Sequence, residues 1–208
     1  MKRLHLTCIL CAVIFSVVTQ SSHAQRITRF LDVPIDHWAA SHIETLADNG
    51  ITNGCGGGSY CPNDPVTRAQ MAVFLERGMR GSDYNPGSGV GNIFMDVPAG
   101  YWAGGWIELL YGDGITTGCG PNIYCPENAV TREQMAVFLL RAKHGQDYQP
   151  LTPTGVFNDV VLSHWSAGWI EQLAAEGITS GCGNSNYCPR DAVTRAQMAV
   201  FLVKTFGL

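Results

Sequence analysis

Apolar residues recur along this chain in two helical stripes, and each stripe is written three times. Trp38, Ala39, Ile43, Leu46 and Ala47 fall on one face of a helix predicted over residues 36–49. Trp102, Ile107 and Leu110 repeat that face, as do Trp165, Ile170 and Leu173. Gly50, Gly114 and Gly177 follow the last turn, where a left-handed residue ends a helix, and an isoleucine comes next each time. The second stripe, Met71, Phe74 and Leu75 with its two counterparts, follows Thr67-Arg68-Ala69-Gln70, Thr131-Arg132-Glu133-Gln134 and Thr194-Arg195-Ala196-Gln197. Threonine followed three residues later by glutamine predicts a capping box, in which hydroxyl and amide each satisfy a backbone N–H of the first turn.

The period is regular. Asp32, Asp96 and Asp159 are 64 and then 63 residues apart, and Thr67, Thr131 and Thr194 keep the same spacing. Such self-similarity predicts an all-α fold of three helix-loop-helix repeats, each stacked on copies of itself. The repeats are placed at residues 25–80, 94–144 and 157–208. Gly- and Pro-containing linkers are placed at 81–93 and 145–156.

Residues 1–24 read as a secretory signal peptide. Lys2 and Arg3 precede an apolar run from Leu6 to Val18, and Ser22-His23-Ala24 supplies small residues for cleavage. The run is short for a spanning helix, and no later segment is apolar enough to cross a bilayer, so no membrane span is expected after cleavage. Two of the eight cysteines, Cys8 and Cys11, fall in this leader. The other six form three close pairs, Cys55/Cys61, Cys119/Cys125 and Cys182/Cys188. An even set in an exported chain predicts disulfides. Local pairing, which alone gives every repeat the same geometry, would close three short loops at roughly 2 kcal/mol each. Zinc is the competing reading, but its close ligands usually stand two to four residues apart and number four. No cofactor is expected.

With 13 basic and 17 acidic residues, the net charge is −4, which argues against a nucleic-acid partner. Against that balance, Arg68, Arg132 and Arg195 stand out. Each falls in the first turn of a helix, where the macrodipole disfavours a cation by a few tenths of a kcal/mol. Two explanations are open: a structural ion pair with a carboxylate such as Asp32, Asp96 or Asp159, or an external anion gripped beside free helix N–H groups.

The run F-x-D-V, H-W-A (Phe30 to Ala39), G-I-T-x-G and C-P-x-x-x-V-T-R-A-Q-M-A-V-F-L closely resembles the S-layer homology (SLH) repeat. Three copies are usual in that family. The resemblance implies a compact pseudo-threefold assembly with grooves between neighbouring repeats. It also implies non-covalent attachment to the cell envelope through secondary cell-wall polysaccharide, often pyruvylated. The family's T-R-A-E arginine, which contacts the acidic sugar, maps onto Arg68, Arg132 and Arg195. Two departures matter. Gln70, Gln134 and Gln197 replace the usual glutamate, removing a negative charge near each arginine. Cysteine-bounded loops replace the usual D-G-x-F-x-P stretch, so the resemblance does not extend to pyruvylation of the partner.

Aromatic faces complement pyranose C–H surfaces. Tyr60, Tyr124 and Tyr187, in the cysteine loops, are expected half exposed and are candidate sugar contacts. Trp106 and Trp169, which replace His42, are further candidates on a face expected outside the core. Trp38, Trp102 and Trp165 are assigned to the core stripe. The three aspartates are assigned to turn fixing. Glu44, Glu108 and Glu171 read as surface glutamates, and no motif for catalysis occurs, so no enzyme activity is expected. The sequence thus predicts an exported module of the cell envelope, cell surface or periplasm that binds an acidic wall polysaccharide. Other envelope proteins are further candidate partners. The rival is a self-assembling or protein-binding module without its own glycan.

Overall fold

The computed structural model of the protein describes residues 28–208, and the signal peptide expected at 1–24 lies outside the described residues. Among the described residues the chain forms six helices and no sheet: α1 (Ala40–Asp48), α2 (Arg68–Arg80), α3 (Gly104–Gly112), α4 (Arg132–His144), α5 (Ala167–Ala175) and α6 (Arg195–Phe206). The all-α repeat architecture is as the sequence predicts. Helix α1 starts later than its stripe suggests. His37 N donates to Pro34 O, Ala40 N to His37 O, and Ala39 N to His37 Nδ1, so tight turns occupy the residues before Ala40.

The three capping boxes form as expected. Gln70 N donates to Thr67 Oγ1 at 3.2 Å and Thr67 N to Gln70 Oε1 at 3.3 Å, with matching pairs at Thr131/Gln134 and Thr194/Gln197. The two N–H groups between the members of each box are also satisfied, by carbonyls of a neighbouring repeat. Arg68 N reaches Asn128 O and Ala69 N reaches Pro126 O; Arg132 and Glu133 reach Asp191 and Pro189; Arg195 and Ala196 reach Asp64 and Pro62. The expectation of free helix N–H groups for an external anion is therefore corrected: close packing of the repeats has already used them.

Helices pair across repeats. α2 packs on α3, α4 on α5, and α6 on α1, while α2, α4 and α6 meet one another at the centre. Among the described residues α1 does not pack against α2 of its own repeat. Just before the central helices, three backbone hydrogen bonds close a ring. Val66 N donates to Val193 O, Val193 N to Val130 O, and Val130 N to Val66 O, all at 2.9 Å. The core around this ring includes Met71, Leu75, Met135, Leu139, Met198 and Leu202, each fully buried.

The segments between repeats return over the outer helices and are tied there by the recurring glutamates. Glu108 accepts from Val90 N and Gly91 N; Glu171 accepts from Thr154 N, Gly155 N and Val156 N; Glu44 accepts from Arg29 N. Their role is to satisfy linker backbone. The cysteines pair locally as Cys55–Cys61, Cys119–Cys125 and Cys182–Cys188, with Cα–Cα distances of 6.0, 6.1 and 6.0 Å. That pairing displaces the zinc alternative.

One residue breaks the threefold pattern inside the core. Glu76 is fully buried in α2, where the equivalent positions hold Leu140 and Val203. Its Oε2 meets Arg80 Nε at 2.9 Å, while Oε1 has no partner among the described residues. Burial pushes its carboxyl up to about 7, with Arg80 opposing and Asp113 assisting. The folded state then binds a proton that the unfolded chain releases at lower pH. Stability is fully present below the unfolded value and falls as pH rises towards 7. Glu76→Gln should remove this slope, so that chemical denaturation at pH 5 and pH 8 differs by roughly 2 kcal/mol less than in wild type. An unchanged slope would refute the assignment.

Candidate functional site

Each disulfide loop ends on a tyrosine that faces inward. Asp32 accepts from Tyr60 N and Cys61 N, both at 2.7 Å, and Asp96 and Asp159 do the same for Tyr124/Cys125 and Tyr187/Cys188. The aspartates are the turn-fixing acceptors expected. Although burial opposes it, those two N–H groups pull the Asp32 carboxyl below its ordinary value. The tyrosines themselves are corrected. Tyr60, Tyr124 and Tyr187, expected half exposed, are 0% exposed, because each ring packs under a phenylalanine (Phe30, Phe94 or Phe157) at 5.3–5.4 Å. They have no surface on which a sugar could stack.

They bind the arginines instead. Arg68 lies over the Tyr124 ring at 4.7 Å and over Phe138 at 5.5 Å. Its Nε donates to Tyr124 O at 2.6 Å, and Tyr124 Oη donates back to Arg68 O at 2.8 Å. Arg132 makes the same lock with Tyr187 and Phe201, and Arg195 with Tyr60 and Phe74. Each arginine thus enters an aromatic slot of another repeat, and the third lock closes the circle from repeat three to repeat one. Burial pushes the Tyr60 phenol up to about 12 and raises those of Tyr124 and Tyr187 also, so all three stay protonated donors.

Arg68, Arg132 and Arg195 are only 3%, 3% and 5% exposed, yet none has a carboxylate within ion-pair distance among the described residues. Burial draws Arg68 and Arg195 below their usual range, but arginine remains a cation at any physiological pH. In all three, Nη2 has no hydrogen-bond partner among the described residues. Of the two explanations open for these arginines, the ion pair with Asp32, Asp96 or Asp159 is absent.

Each arginine reaches the floor of a groove built from all three repeats. Arg195 of repeat three joins Gly54, Gln70 and Arg77 of repeat one and Trp102 of repeat two. Arg68 joins Gly118, Gln134, Arg141 and Trp165. Arg132 joins Gly181, Gln197, Lys204 and Trp38. Gly54, Gly118 and Gly181 have φ near +90°, and a Cβ on them would approach the carbonyl oxygens of Ser59, Ile123 and Asn186 to 2.2–2.3 Å, so only glycine lets the wall follow this path. Each glutamine faces an arginine from another repeat, so its lost charge acts across the groove.

The tryptophans exchange places with expectation. Trp38, Trp102 and Trp165, assigned to the core, are 61%, 60% and 60% exposed at the groove mouths. They precede the true helix starts and so leave the buried stripe. Trp106 and Trp169, expected outside the core, pack against it. Arg77 stands over Trp106 and Arg141 over Trp169, each at 5.5 Å. The readable signal for the exposed set was the Pro34 or Pro98 shortly before each tryptophan in repeats one and two, which favours turns over helix.

The S-layer homology domain profile matches residues 29–72, 93–136 and 156–199. The chain belongs to the S-layer homology family. It is 31% identical over 175 residues to an amylopullulanase of Thermoanaerobacterium thermosulfurigenes, covering 80% of this chain and 9% of that protein. It is 28% identical over 176 residues to the S-layer protein EA1 of Bacillus anthracis, covering 85% and 20%. A cellulosome-anchoring protein of Acetivibrio thermocellus is 23% identical over 173 residues, covering 82% and 37%. The SLH chain therefore spans well under half of each of these relatives.

The lock itself is testable. Tyr124→Phe removes the hydrogen bond from Tyr124 Oη to Arg68 O, a carbonyl that keeps its helical bond within α2, and should cost about 0.5–1.5 kcal/mol in urea unfolding. A loss near zero would show that the Tyr124–Arg68 lock carries no stability.

Proposed function

We propose that this SLH protein is a non-catalytic module, exported to the cell envelope, that attaches to an acidic cell-wall polysaccharide through grooves between its repeats. The observation that carries this is the pairing, in every groove, of a buried guanidinium lacking a carboxylate with an exposed tryptophan face. A buried cation without a counter-charge is costly on its own. An anion that fills the groove relieves that cost, and charge-assisted hydrogen bonds to it are strong. The indole offers the apolar face of a pyranose a platform at the same mouth. More than one such site on a scaffold gains avidity when a single polymer reaches them together.

This assignment differs in one respect from the sequence reading. The arginine is anchored by Tyr60, Tyr124 or Tyr187 below it, and the sugar platform passes from those tyrosines to Trp38, Trp102 and Trp165. The amylopullulanase relative carries its matching segment within a much longer chain, which accords with an attachment role for the segment.

The test is co-sedimentation of residues 25–208 with cell-wall sacculi of the producing organism, before and after chemical removal of their polysaccharide. Binding should require the polysaccharide. Trp38→Ala, Trp102→Ala and Trp165→Ala combined should weaken it at least about tenfold while leaving the unfolding temperature near wild type, because these rings are mostly exposed. Equal sedimentation with stripped sacculi would reject the glycan reading, and concentration-dependent self-association without glycan would support the rival assembly role.

A further inference from the structure

The three grooves share a plan but not a chemistry. In the groove of Arg195, a second guanidinium, Arg77, is held over Trp106 and donates through Nη1 to Ile51 O at 3.3 Å. In the groove of Arg68, Arg141 is held over Trp169 and donates to Ile115 O at 3.4 Å. In both, the Nε of the second arginine has no partner among the described residues, like the Nη2 of the first. Each of these two grooves is therefore lined by two oriented guanidinium groups. Their cavities measure about 460 and 380 Å³.

The groove of Arg132 departs from this at both positions. Lys204 replaces the second arginine, and its Nζ is engaged with Gly177 O at 3.0 Å. His42 replaces the tryptophan that backs the fork. The cavity is about 160 Å³, less than half of either other. A lysine offers a point charge on a flexible stem, whereas paired forks match the two oxygens of a carboxylate.

Resting on the polysaccharide reading above, we propose that the protein holds two acidic sugars per chain, not three. Carboxylate-bearing pyranoses occupy the Arg195–Arg77 and Arg68–Arg141 grooves, and the Arg132–Lys204 groove is a rudimentary site. The specificity-determining residues are then Arg77 and Arg141, which select the charged sugar over its neutral counterpart.

Each groove carries one exposed tryptophan, which gives a site-resolved readout. In a 15N-labelled NMR titration with methyl β-D-glucuronide, the indole signals of Trp102 and Trp165 should shift saturably. The Trp38 signal should need at least about tenfold more ligand. Methyl β-D-glucoside should shift none of them at the same concentrations. Arg77→Gln should abolish the Trp102 response and spare that of Trp165; Arg141→Gln should do the reverse; Lys204→Gln should change neither. Lys204→Arg with His42→Trp should bring the Trp38 response towards the other two. Equal midpoints for all three indoles in the wild-type protein would overturn the proposal without any variant needing to fold. So would a full response to the neutral glucoside, or no response to the glucuronide by a protein that sediments with sacculi. Failure to sediment would instead remove the polysaccharide reading beneath it.

Discussion

Among the described residues, three positive charges are held inside this protein without a carboxylate within ion-pair distance of any of them, and the rest of the structure is arranged around that constraint. A guanidinium removed from water needs compensation, and here it comes from aromatic faces and backbone oxygen. Tyr124 and Phe138 flank Arg68 at 4.7 and 5.5 Å, and Tyr124 O takes its Nε. Cation–π contacts of this kind are worth about 0.5–2 kcal/mol each, rising with desolvation. They hold the cation in place without neutralising it. The same lock therefore serves two ends: it joins one repeat to the next, and it leaves a net positive charge under a groove.

Because every arginine enters a slot belonging to another repeat, no repeat owns a complete groove. The Arg195 groove takes its cation from the third repeat, its wall from the first and its tryptophan from the second. The valine ring of Val66, Val130 and Val193 sets the relative height of the three helix starts, and the neighbouring loop carbonyls seal the helix N-termini. Such mutual dependence makes the molecule one cooperative unit, unlike an open repeat array whose members contact only the next in line. The disulfides act at the same place. Each closes the loop that ends on the slot tyrosine, so the groove wall is held from behind.

Departures from threefold symmetry are where the individual character of this SLH chain resides. Glu76 stands in the core where the other repeats are apolar, and its carboxyl is tuned by burial against Arg80 and Asp113. Lys204 and His42 make the groove between α6 and α1 unlike its two counterparts. The seam between the first and last helices is also the one that the chain closes without a linker. Variation there leaves the other two seams, which a linker crosses, with their paired arginines intact.

Much of the fold was legible in local chemistry. Capping boxes, terminating glycines and close cysteine pairs each report on residues a few positions apart, and hydrogen bonding over that range depends little on the rest of the molecule. Asp32, Asp96 and Asp159 were assigned as turn acceptors on the same ground. The candidate site was less legible. The arginines were singled out because a cation is misplaced in a first helical turn, but their partners stand 55, 56 and 135 residues away. The tyrosines looked like loop residues with an open face, and the first-helix tryptophans like core. Exposure was reversed for both: each tyrosine is covered by its own repeat's phenylalanine and by an arginine from another repeat, and each tryptophan stands before the start of its helix. The sequence by itself determined the elements, their number and the residues carrying charge. Only the closed tertiary arrangement decided which rings are buried under the arginines and which remain open to a ligand, since those contacts arise between segments that nothing but the ring closure brings together.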